Sequence, residues 1–143
     1  MTMGHRTPRA ALALATATTL CACVPVYKTL QPYAEVQVRN EQGQPLESAE
    51  VVLISSAYPY GREQFRATAM TDLAGVATFY KVKDLRLEFF VIHGAQAFFW
   101  NWCVRGKGYA TQTTALRNGD DFEANPTFVL KPGESTACPE PGS

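Results

Sequence analysis

Histidine is scarce: His5 and His93 are the only two in 143 residues. A general base needs a nucleophile or carboxylate partner. None is identifiable for His93, which reads as a hairpin-end residue without a catalytic role. A zinc site wants three or four ligands at recognisable spacing, and the sequence offers no such set, so no metal and no cofactor are expected. Runs of Lys and Arg are missing too, which excludes the clustered basic footprint of a nucleic-acid binder. No polybasic patch is present for acidic lipid either. After residue 23 no stretch shows a sustained apolar repeat every three to four residues, so helix content should be low. No segment there is long and apolar enough to span a membrane, which takes about 20 residues.

What is present begins at the N-terminus. Arg6 and Arg9 precede an apolar run of eleven residues, Ala10 to Leu20, followed by Cys21-Ala22-Cys23. A charged start, a short apolar middle and a small-residue end make up a secretory signal peptide, here residues 1–22. Leu20 three residues before Cys23, with Ala22 immediately before it, resembles the lipobox of bacterial lipoproteins. Cys21 departs from that pattern, since Ala, Ser or Thr is usual there. The resemblance implies a mature chain that starts at Cys23, acylated on that residue and held at a membrane. Several acyl chains, each buried CH₂ contributing about 0.8 kcal/mol, make a lasting anchor. Val24 stands where Asp often marks inner-membrane retention, which favours the outer membrane facing the periplasm.

Loss of Arg6 and Arg9 leaves 13 − 2 = 11 basic residues against 13 acidic ones, a net charge of −2. The remaining length suits one domain with its own core. Residues 23–32 read as a short tether, 33–132 as the domain and 133–143 as a Pro-rich tail. Cys103 and Cys138 are the two cysteines left, and in an oxidising compartment such a pair is expected as a disulfide. A nucleophilic or metal-binding thiol is the alternative, without a neighbouring His or Cys in sequence to support it.

From Tyr33 the chain alternates apolar and polar residues. Strands are expected near Ala34–Val38, Val51–Ser55, Gln64–Thr71, Val76–Tyr80, Leu85–Ile92, Phe98–Arg105, Tyr109–Leu116 and Thr127–Leu130. Asn40 to Pro45, Asp72 to Gly75, Gly106 to Gly108 and Asn118 to Asp120 carry turn residues. The pattern predicts an all-β sandwich of seven to eight strands. A long aromatic hairpin from Phe89 to Trp102 is its unusual part. Phe98, Trp100 and Trp102 share one strand face, while Phe99 and Cys103 share the other. An antiparallel sheet over a core needs one apolar face, so the second needs cover: the Cys103-linked tail, the tether, the membrane or a partner. Asp120, Asp121 and Glu123 form an acidic turn without the alternating ligand spacing of a calcium loop.

The run Val36-x-Val38-x-Asn40-x-x-Gly43-x-Pro45-Leu46-x-x-Ala49-x-Val51-x-Leu53 resembles the opening of carboxypeptidase regulatory-like domains, which are transthyretin-like sandwiches. Thr71-Asp72-x-x-Gly75-x-x-x-Phe79, Gly108-Tyr109 and Phe128 to Pro132 are similar to later motifs of that family. Asn40, usually Asp, and Ser48, commonly Gly, depart from it. The resemblance implies fold more than activity. The hydroxyisourate hydrolases of the related fold carry several active-site histidines, so their activity is not expected here.

The expected function is that of a membrane-anchored envelope lipoprotein acting as a non-enzymatic structural or protein-binding module. A domain that binds carbohydrate or peptidoglycan fragments through Trp100 and Trp102 is the alternative, and Phe98, Trp100 and Trp102 are the candidate binding residues. The partners would be the membrane, through the lipid anchor, and an envelope protein or glycan.

Overall fold

The computed structural model describes residues 23–58, 61–89 and 96–140. Ten strands are found there and no helix. They are β1 (Cys23–Gln31), β2 (Ala34–Asn40), β3 (Glu50–Tyr58), β4 (Arg62–Met70), β5 (Val76–Phe79), β6 (Val82–Phe89), β7 (Ala97–Arg105), β8 (Gln112–Thr113), β9 (Arg117–Asn118) and β10 (Thr127–Leu130).

Two sheets face each other across one core, a sandwich-like arrangement. One has the order β10-β2-β5 and the other β4-β3-β7-β8, with β9 also on β7. Strict alternation decides which residues meet. Val36 and Val38 of β2, Phe79 of β5 and Leu130 of β10 point inward. Against them stand Val51 and Leu53 of β3 and Trp102 and Val104 of β7, neighbours through the pairs Val51↔Val104 and Leu53↔Trp102. β10 runs parallel to β2, with Phe128 opposite Val38.

Side chains close the turns by accepting backbone N–H groups, which explains why these short connections hold one geometry. Asn40 Oδ1 accepts from Gln42 and Gln44 at 3.0 and 2.9 Å, so asparagine caps this turn with its carbonyl oxygen. Asp72 Oδ1 accepts from Ala74 and Val76, both at 2.9 Å, as its place before Gly75 suggests. Gly75 has φ of 74°, and a Cβ there would sit 2.5 Å from the Val38 carbonyl oxygen. Ser48 takes φ of 58°, a left-handed conformation at the very position where glycine is common in the resembled family.

Three expectations are corrected. Residues 23–32 are not a free tether: Cys23–Gln31 is strand β1, antiparallel to β6 in a separate two-stranded ribbon. Pro25 in that segment speaks against a central strand, but a ribbon with an open edge accommodates it. The aromatic segment is not one hairpin, because β6 pairs with β1 whereas β7 pairs with β3. Tyr109–Leu116 is not one strand either. Only Gln112–Thr113 pairs with β7, and Tyr109 bridges to Pro132.

Candidate functional site

The inward face of β7 places Phe98, Trp100 and Trp102 in the core, where they are 7, 8 and 2 % exposed. Phe122, from the loop before β10, covers both indoles, with ring centroids 5.5 Å from each, and Phe79 lies 5.2 Å from Trp102. Both indole N–H groups are satisfied by backbone. Trp100 Nε1 donates to the Leu30 carbonyl at 2.8 Å and Trp102 Nε1 to the Glu123 carbonyl at 3.1 Å. Rings that bury their faces against each other do not present them to a sugar. The expectation of Phe98, Trp100 and Trp102 as a binding surface is therefore corrected: they are core.

The opposite face of β7 is covered from within. Val52, Ile54 and Cys103 form a small buried cluster, closed by Cys138 through the Cys103–Cys138 disulfide. The segment around Cys138 is held by further bonds. Thr136 and Thr111 exchange hydrogen bonds at 2.7 and 2.9 Å, and Arg66 Nη2 donates to the Pro139 carbonyl at 2.6 Å. The disulfide expected from the two cysteines is present, and the tail up to residue 140 is structured.

Several shallow clefts lie among the described residues, and two of them flank β7. One of about 270 Å³ lies between β3, β4 and the tail, where Arg62, Glu63, Arg66 and Asn101 line it. The other, about 240 Å³, borders the edges of both tryptophans together with Arg117, Asp121 and Glu123. Both fall below the roughly 300–1,000 Å³ usual for small-molecule sites. No histidine occurs among the described residues, and no three of their His, Cys, Asp and Glu side chains are grouped to hold a metal ion. Asp120 and Asp121 are exposed in a turn whose amides bond to Asn118 Oδ1. His93, Phe90 and residues 1–22, expected as a signal peptide, lie outside the described residues. Of Cys23, the described part is its backbone at the start of β1.

The feature only partly absorbed by the core is the β1–β6 ribbon, which gives it Leu30 and Val82 but leaves its outer face open. Its inner face, toward the sandwich, mixes apolar Val26, Leu30 and Val82 with the charged groups Lys28, Arg86 and Glu88. Lys28 Nζ meets Glu88 Oε1 at 2.7 Å, Glu88 also accepts the Gln96 N–H at 2.8 Å, and Lys28 donates to the Gln96 carbonyl at 3.0 Å. Lys28 and the Gln96 amide hold the Glu88 carboxyl below the usual carboxylate range, although burial opposes them. Arg86 lies 6.0 Å over the Phe98 ring and pairs with Asp84 at 2.9 Å. The outer face is apolar and open: Tyr27, Leu85 and Leu87 are 70, 52 and 65 % exposed, and Pro25 is exposed beside them. Register pairs Pro25 with Leu87 and Tyr27 with Leu85, so the four form one continuous patch.

Sequence reasoning missed this ribbon. The signal was there in Leu85-Arg86-Leu87-Glu88, which alternates apolar and charged residues, and in Val24-x-Val26. Alternation alone does not say which face is covered.

No family model, curated protein or solved structure matches the chain.

Proposed function

We propose that the chain is an exported lipoprotein of the cell envelope, acylated at Cys23, whose sandwich works by binding rather than by catalysis. The observation that supports this reading is the apolar run Ala10 to Leu20 behind Arg6 and Arg9, ending in Leu20-Cys21-Ala22-Cys23. Cys23 lies within a paired strand, opposite Phe89, so acyl chains on it would hold the domain close to the membrane. The lipobox-like Leu20-Cys21-Ala22-Cys23 supplies the chemistry, and Val24 after it favours the outer membrane facing the periplasm. The disulfide suits an oxidising compartment. The turns at Asn40–Pro45 and Asp72–Gly75 support kinship with carboxypeptidase regulatory-like, transthyretin-like domains.

With the tryptophans in the core, a glycan-stacking role for Trp100 and Trp102 loses its surface, and the exposed ribbon becomes the place for non-covalent contact. Feeding cells an alkyne fatty acid tests the anchor. Wild type and Cys21→Ala should take up label while Cys23→Ala does not. An unlabelled wild type, or label lost only with Cys21, contradicts the reading.

A further inference from the structure

We infer that the outer face of the β1–β6 ribbon rests on the lipid headgroup layer, so that the anchor and the ribbon together fix how the domain stands on the membrane. The inference rests on the anchor reading and adds to it a surface, a ligand class and an orientation.

Three observations commit the patch to a bilayer rather than to another protein. First, Pro25, Tyr27, Leu85 and Leu87 leave an apolar outer face open, although the charged Lys28, Arg86 and Glu88 take places toward the body beside Leu30 and Val82. A two-stranded ribbon that sought stability alone would bury its apolar face. Second, the patch starts two residues from the point where the chain meets the membrane. On the anchor reading the acyl chains sit on Cys23, two residues before Pro25. Third, polarity along the outer face is graded. Moving away from Cys23, the pairs are Pro25↔Leu87, Tyr27↔Leu85 and Thr29↔Lys83, over about 13 Å at 3.3 Å per residue. Apolar, then amphipathic aromatic, then cationic is the order met on passing outward through a membrane interface, where Tyr rings settle and Lys reaches phosphate.

The depth is bounded. Among the described residues each strand of the ribbon pairs only with the other, so the two outer edges carry backbone groups with no ladder partner there. Such edges are not tolerated in hydrocarbon. The ribbon therefore lies at headgroup level, with its Cys23 end deepest, and does not insert.

The test replaces Tyr27 with the photo-crosslinking residue benzoylphenylalanine in the full chain, expressed and illuminated in its own membrane. The same residue in place of Leu73, exposed on the far turn between Asp72 and Gly75, is the control. The expected product is a chain heavier by one phospholipid, at several times the control yield, reduced several-fold by adding Leu85→Glu with Leu87→Glu. A crosslinked pair of copies, an adduct to another protein, or no excess over Leu73 would overturn the inference. The N-terminal mass of the same sample separates the two readings. An acylated Cys23 with no lipid adduct at position 27 sinks the docking surface alone, whereas an unacylated chain sinks the anchor as well.

Discussion

Trp100 Nε1 donates to the carbonyl oxygen of Leu30 at 2.8 Å, across 70 residues of chain. One bond thus ties the end of β1 to the middle of β7 and seats the ribbon on the sandwich. Trp100→Phe keeps much of the ring but leaves that buried carbonyl without its donor, at a cost of about 1–3 kcal/mol. Trp100→Ala should lose about 3–5 kcal/mol through the cavity. Urea unfolding followed by far-UV dichroism measures both. Stability unchanged in either variant would mean the indole is not a core group.

Joining Cys103 to Cys138 closes a loop of 35 residues, for which chain entropy gives about 3–4 kcal/mol of stabilisation. Reduction, or Cys103→Ala with Cys138→Ala, should lower Tm by roughly 10–20 °C. It should also expose Val52 and Ile54, which the tail covers through Cys138. Increased binding of a hydrophobic dye at temperatures below the transition reports that exposure.

Glu88 makes stability depend on acid. Its folded-state pKa is lowered, first by the hydrogen bond from Lys28 and then by the Gln96 amide. A depressed carboxylate contributes stability that is fully present above its unfolded value of about 4.3 and is lost as pH falls through the folded value. Glu88→Gln should cost about 1.5–3 kcal/mol at pH 7. It should also flatten the fall in stability of the wild type below about pH 4. Denaturant midpoints from pH 7 to pH 3 give the comparison.

Two backbone positions should respond in opposite directions. Gly75→Ala adds a Cβ 2.5 Å from the Val38 carbonyl oxygen at φ of 74°, so strain and overlap together should cost about 3 kcal/mol. Ser48→Gly relieves a left-handed serine at φ of 58° and should be neutral or stabilising by up to about 1 kcal/mol. Thermal unfolding of the two variants beside wild type shows both.

Much of the sandwich was legible because period-two alternation is local. Val36, Val38, Val51 and Leu53 each announced a buried side, and Asn40 and Asp72 announced their turns. The pairing of Cys103 with Cys138 followed from their being the only cysteines left to the domain. Partner choice was not legible, since it depends on contacts far apart in sequence. Phe98, Trp100 and Trp102 share a face by spacing, yet only Phe79 and Phe122, from elsewhere in the chain, decide that this face is closed. The ribbon stayed hidden for the same reason: Pro25 masked β1, and the register with β6 places Tyr27 beside Leu85.

The intact mass of the N-terminal peptide tests the central claim most directly. The account predicts a peptide that begins at Cys23 and carries acyl chains. A peptide that begins at Met1, or a Cys23 with a free thiol and no added mass, would contradict it.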